Sequence, residues 1–293
     1  MEKKIKILNN SSKYDWLSFI SKNRYAIKPT KLIIDFEKCS FLEPFHLVSL
    51  ACLIEEYKLD DVNLQFIESE KLAFNEYLKK INFIAYWNDN FDRNHFQQAK
   101  KDTNLFLWKL ENTRLLPYTY FAKRYFEDHF ALDKSMEAIG IILAELFNNI
   151  IDHAKSPVSG FTTTQFFPVQ QKISISICDM GIGIVESVKQ FLLKKNGTEV
   201  TSEEAFSKAL LKGFSTESTP QNRGYGLDTL LTIVQSNNGK LRIQSNDILY
   251  IYENGFARIV NSKDSFLGTS IDIVLNIDNF YEKEELNLDN FDF

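Results

Sequence analysis

Residues 172–183 read KISISICDMGIG, and the fold of the C-terminal half turns on them. Ile173, Ile175 and Ile177 alternate with Ser174, Ser176 and Cys178, the period of a β-strand with one apolar face. The run ends in Asp179-Met180-Gly181-Ile182-Gly183, and glycines at a strand exit allow backbone angles and close approaches that side chains forbid. Residues 161–167 precede it as the antiparallel partner. Upstream, residues 134–154 read KSMEAIGIILAELFNNIIDHA. Ile139, Ile142, Leu143, Leu146 and Ile150 form one helical stripe, and Glu145, Asn149 and Asp152 share an adjacent face. Downstream, Gly213-Phe214-Ser215-Thr216 and Asn222-Arg223-Gly224-Tyr225-Gly226-Leu227 lead into a helix over Asp228–Ser236. A glycine-bearing loop that feeds a helix N-terminus presents N–H groups and a positive dipole end to phosphate. Gly268-Thr269 then opens an alternating strand, Ser270–Leu275.

Taken in this order, four motifs resemble those of GHKL (Bergerat-fold) ATPase domains over roughly residues 130–276. ELFNNIIDHA resembles the family's N box, DMGIG its first glycine box, RGYGL its second, and GT before a strand its last motif. The resemblance implies ATP and magnesium as ligands. Asn149 would ligate the metal, Asp179 would accept from the adenine amino group, and Gly181 and Gly183 would let the backbone pass close to the base. Gly224 and Gly226 would present N–H groups to the phosphates, and Thr269 would sit near the adenine. Glu145 would stand where ATPase branches keep their general base, and Arg223 is a γ-phosphate candidate. Asp152, Tyr225 and Leu227 complete the nucleotide-contacting set. The segment between Gly183 and Gly224 corresponds to the family's ATP lid. Within it, Thr201-Ser202-Glu203-Glu204 is a capping-box pattern that opens a helix stopped by Gly213.

The first half has a different pattern. LIIDF (residues 32–36) reads as a buried strand, followed by a helix around Leu47–Glu56, a strand at Val62–Ile67 and a helix at Lys71–Ile81. Residues 30–85 resemble STAS domains, the fold of anti-sigma-factor antagonists. Phe45 stands where those antagonists carry their phosphorylated serine, and His46 reads as a structural histidine at a helix start. Residues 88–104 are polar and read as a surface crossing, and residues 105–110 as one further strand. The expected architecture is α/β: a STAS-like domain over 1–117, a GHKL α/β sandwich with a mixed sheet and helices on one face over 118–276, and an acidic tail over 277–293. The boundary falls near Leu115–Tyr118, where Pro117 interrupts regular pairing.

Composition narrows the function. The chain has 293 residues, a formal net charge of -5 and no basic block, so no phosphate-tracking nucleic-acid surface is signalled. Three cysteines, Cys39, Cys52 and Cys178, form no CxxC pair, which signals neither zinc nor a disulfide framework. The N-terminus has too short an apolar run for a signal peptide, and no stretch approaches a membrane span, so the expectation is a cytoplasmic protein. The leading function is a nucleotide-dependent ATPase switch with a STAS-like docking or regulatory domain. It would engage another protein through the lid or that domain, with a homodimer left open. The alternatives are a protein serine kinase resembling anti-sigma-factor kinases and a module that holds ATP without turnover.

Overall fold

The computed structural model describes residues 1–9, 12–24, 28–92, 103–105, 107–110, 115–130, 133–153, 156, 158, 160–214, 216 and 226–283. The first half alternates β1 (Glu2–Lys6), α1 (Lys13–Asn23), β2 (Lys31–Asp35), α2 (Pro44–Leu59), β3 (Asn63–Ile67) and α3 (Leu72–Lys80). The three strands form a parallel sheet in the order β1-β2-β3. Parallel neighbours need long crossovers, and α1 and α2 supply them.

The second half contains β4 (Trp108–Lys109), α4 (Leu115–His129), α5 (Glu137–His153), β5 (Phe161–Phe167) and β6 (Lys172–Asp179). It continues through α6 (Gly183–Asn196), α7 (Ser202–Ala209), α8 (Leu227–Ser236), β7 (Lys240–Glu253) and β8 (Phe256–Asn276). Its five-stranded sheet runs β4-β5-β6-β8-β7, and every ladder in it is antiparallel. The molecule is thus mixed α/β, with one parallel and one antiparallel sheet plus helices, and the second sheet is not mixed as the sequence suggested.

Two local expectations shift. The strand read at 105–110 appears as β4, which joins the second sheet by pairing with β5, backed by the Leu110 N–H to Gly160 carbonyl bond of 2.8 Å. Pro117 lies in the first turn of α4. A proline there loses no intrahelical hydrogen bond, so it stands at the start of a helix and interrupts no strand pairing. Residues 93–102, most of the expected crossing, and 284–293, most of the acidic tail, lie outside the described residues.

One face of the antiparallel sheet is apolar. Ile173, Ile175, Ile177, Leu241, Ile243, Ile271, Ile273 and Leu275 share a core with side chains from α4, α5, α6, α7 and α8. The opposite face bears Ser174, Ser176, Ser270 and Asp272, all buried. Helix α2 covers β5 and β6 there, and α1 covers β8. Small polar side chains under a helix require partners. The Ser176 hydroxyl donates to Asp272 Oδ1 (2.6 Å), and Lys13 at the start of α1 pairs with Asp272 and also with Glu43 (2.8 Å). Near the end of α1, Ser18 Oγ donates to Asp264 Oδ2 (2.5 Å) on the bulged part of β8.

Helix α2 is buried along nearly its whole length, from Pro44 through Glu55 and again at Tyr57. A helix this apolar around most of its circumference is enclosed on nearly every side. Its outer turns pack in a core that joins Ile5, Leu32 and Ile34 of the parallel sheet to Phe161, Cys178, Met180 and Phe266 of the antiparallel one. Phe45 is inside that core, and the His46 imidazole Nδ1 accepts the Glu43 N–H (3.1 Å) while its ring meets Trp16 edge-on. Because one core serves both sheets, the chain should unfold thermally in a single transition. Phe161→Ala should destabilise it by about 3–5 kcal/mol, the usual cost of deleting a buried aromatic. Calorimetry checks both expectations, and two resolved transitions would show that the sheets melt independently.

Candidate functional site

Strand β6 delivers Asp179 to the rim of the sheet, where its side chain is 1% exposed. The Gly181 N–H curls back to donate to Asp179 Oδ1 at 2.7 Å. Directly across the ladder stands Thr269 on β8, whose backbone N–H and hydroxyl also bond to the carboxyl group. These bonds favour the ionised form, but burial outweighs them and pushes the Asp179 carboxyl up to about 7. Among the described residues no cation offsets the burial of this carboxylate, so it is a strong acceptor held in a dry setting.

The glycines around it are sterically required. Gly183 adopts φ +81°, and a Cβ there would collide with the side chains of Ser245 and Asn246. Gly268 adopts φ +129°, and a Cβ there would collide with the Asp179 carbonyl. Gly268-Thr269 lies within β8 instead of opening it, because β8 begins at Phe256 as the second arm of a long hairpin with β7. Between Asp179 and Gly181, Met180 enters the core shared with α2, and the Cys52 thiol on α2 donates to the Cys178 carbonyl at 3.2 Å. The three cysteines are buried free thiols.

Helix α5 packs against both α6, which begins at Gly183, and α8, whose N-cap is Gly226. Glu145 on α5 is buried, and burial first, then the charge of Asp228 in the first turn of α8, pushes its carboxyl up to about 7. Asn149 follows one turn later and is half-buried. Leu227 is buried on α8 in the core. Arg223, Gly224 and Tyr225 lie outside the described residues, as does the Asp152 side chain. The structure therefore brings Asp179, Gly181, Gly183 and Thr269 together at one rim, and places Glu145 against the α8 end.

The segment expected as a lid differs from expectation. It contains two helices, α6 and α7, and α7 opens on the expected capping box, with Thr201 Oγ1 accepting from the Glu204 N–H (3.2 Å). Val185, Val188, Leu192, Ala205 and Phe206 are core residues, and the Phe206 ring lies 5.7 Å from Tyr250 on β7. Ser202 also donates to Asp247 (2.8 Å). Residues 183–209 are thus part of the wall, and residues 215 and 217–225 of the expected lid lie outside the described residues.

Sequence reasoning missed Ser245, Asn246 and Asp228. Ser245 and Asn246 reach the glycine turn from about sixty positions away in the chain, a separation no local pattern reports. Among the described residues, no group of three or more His, Cys, Asp or Glu side chains could hold a metal ion, and no helix is long and apolar enough to cross a membrane. No protein-family model and no curated protein matches the chain.

A carboxylate with a raised pKa binds its proton in the folded state at pH values where the unfolded chain has released it. The Asp179 contribution to stability is therefore full below its ordinary value of 3.8 and is lost as pH rises through about 7. Between about pH 5 and about pH 8 the parent should lose on the order of 3 kcal/mol that an Asp179→Asn variant retains. Urea titrations of both proteins across that range measure the gap, and parallel stability curves would show that Asp179 is not strained by burial.

Proposed function

We propose that this chain binds ATP with magnesium at the rim formed by Asp179, Gly181, Gly183 and Thr269, as a GHKL-type ATPase switch whose STAS-like N-terminal half is its regulatory or docking domain. The observation that carries the proposal is the buried Asp179 carboxylate, held between the Gly181 N–H and Thr269 with no charge partner among the described residues. A buried acceptor of this kind is costly alone and is relieved by a donor such as the 6-amino group of adenine. Gly181 and Gly183 put no side chain on the turn beside it, so a flat base could lie against bare backbone.

The remaining residues fit the triphosphate end. Asn149 offers an amide oxygen of the hard type that magnesium accepts, alongside phosphate oxygens and water. When bound, the metal would offset charge on the phosphates. Gly226, the N-cap of α8, makes no side-chain cap, so the backbone N–H groups of that helix end could serve an anion. Glu145 has a carboxyl pushed up to about 7, which suits a group that must take a proton from water near neutral pH. Its place one helical turn before Asn149 lets it orient a water towards the terminal phosphate. The direct packing of α2 behind β6 gives a route from base binding to the N-terminal half without a flexible linker.

Isothermal titration with ATP and magnesium tests the proposal. The parent should bind, and Asp179→Asn should bind about ten- to a hundredfold more weakly, the effect of losing a charge-assisted hydrogen bond. Glu145→Ala should bind nearly as well as the parent yet lower phosphate release about 10²- to 10⁴-fold. Undiminished affinity in folded Asp179→Asn would overturn the site. Turnover within about twofold of the parent in Glu145→Ala would leave Glu145 a structural residue.

A further inference from the structure

The turn Asp179–Gly183 is held from behind by two residues that no motif includes. Ser245 on β7 lies opposite Thr269 on β8, and Thr269 lies opposite Asp179 on β6. The three form one straight row across three strands. Ser245 Oγ accepts the Ile184 N–H at 2.7 Å. Its own proton can go to the Gly268 carbonyl (3.2 Å), Asn246 Oδ1 (3.3 Å) or Thr269 Oγ1 (3.4 Å). Ser245 is fully buried, so each of these contacts is made without competing water.

Asn246 holds the other side of the turn. It adopts φ +54°, a left-handed conformation that asparagine tolerates better than most residues. The β7–β8 register slips on both sides of it, so the ladder breaks where its side chain is needed. Its Nδ2 donates to the Ile182 carbonyl at 2.9 Å, and its Oδ1 accepts the Glu186 N–H at 3.4 Å. Residue 182 sits between the two glycines of the turn, and residues 184 and 186 lie in the first turn of α6. Ser245 and Asn246 therefore supply, from a distant strand, the capping that the α6 N-terminus lacks from its own N-cap residue, Ile182. The missing Cβ of Gly183 is the space that their side chains occupy.

We infer that Ser245 and Asn246 are positioning residues that fix the Asp179–Gly183 turn and so set its preference for a 6-aminopurine over a purine lacking that group. The inference rests on the ATP-binding reading given above. Asp179 can read a 6-amino group only when its carboxyl and the Gly181–Gly183 backbone hold a fixed relation. The Ser245–Thr269–Asp179 row sets one side of that relation, and the Asn246–Ile182 bond sets the other. Neither residue need touch the ligand.

The test compares ATP with purine riboside triphosphate, which lacks the 6-amino group, by isothermal titration with magnesium. Three variants are used: Ser245→Ala, Asn246→Gly and Asn246→Asp. Asn246→Gly keeps access to the left-handed backbone while removing both side-chain bonds. Asn246→Asp keeps the acceptor for Glu186 and places a negative charge at a helix N-terminus, so it preserves the cap while losing the donor to Ile182. All three should reduce the ratio of the two affinities about tenfold relative to the parent, chiefly through loss of ATP affinity. A purely structural role would weaken both ligands in proportion to the unfolded fraction and leave the ratio unchanged. An unchanged ratio in variants folded by circular dichroism, with the parent binding ATP, overturns the inference alone. If the parent binds neither triphosphate, the inference falls together with the ATP-binding reading.

Discussion

The burial of α2 on all its sides is the constraint from which the rest of the molecule follows. A surface helix needs one apolar stripe, whereas a helix enclosed between two sheets must be apolar around its circumference. The stretch PFHLVSLACLIEEY meets that demand, with Glu55 paired to Lys109 near its end. Since α2 lies against the parallel sheet on one side and β5 and β6 on the other, both sheets are fixed relative to one helix. The rim that carries Asp179 is the end of the strand on which α2 packs most extensively.

That arrangement also explains the polarity of the sheet. Ser174 and Ser176 alternate with isoleucines, a pattern that ordinarily marks a solvated face. Here the polar face is buried, and the small side chains let a helix approach closely. The Ser176–Asp272–Lys13 chain of bonds holds that face to α1. The polar residues thus act as a recessed seat for the N-terminal half, and their alternation in sequence does not distinguish this from exposure to water.

Much of the fold was legible, and the reasons are local. The β5–β6 pair, α5, α7 with its capping box, and α2, β2 and β3 all announce themselves through periodicity or a cap, and each is present within a few residues of its expected bounds. The β1 strand and α1 were not read because a short strand of lysines and isoleucine and an ambiguous helix carry weak patterns. The β7–β8 hairpin was missed because residues 246–267 depart from strict alternation at two register slips. At the site, Asp179, the glycines and Thr269 were visible as a short sequence grammar. The packing of α6 and α7 into the wall was hidden because their apolar residues, such as Phe206, also suit a helix that merely closes over a ligand. The environment of Glu145 depends on Asp228, which only the α5–α8 packing reveals.

The Met180 side chain links these observations to the history open to such a chain. It leaves the turn between Asp179 and Gly181 and enters a core whose other walls are Phe161, Phe266 and the residues of α2. Proteins assembled from separable modules can exchange one module by recombination, because few contacts cross the joint. In this chain the joint passes through the residue next to the acceptor carboxylate. A foreign N-terminal half would have to arrive with a surface already complementary to Met180 and to the Cys178 carbonyl. Change in either half is therefore expected to proceed by matched, small substitutions along α2 and β6, with the two halves inherited as one unit.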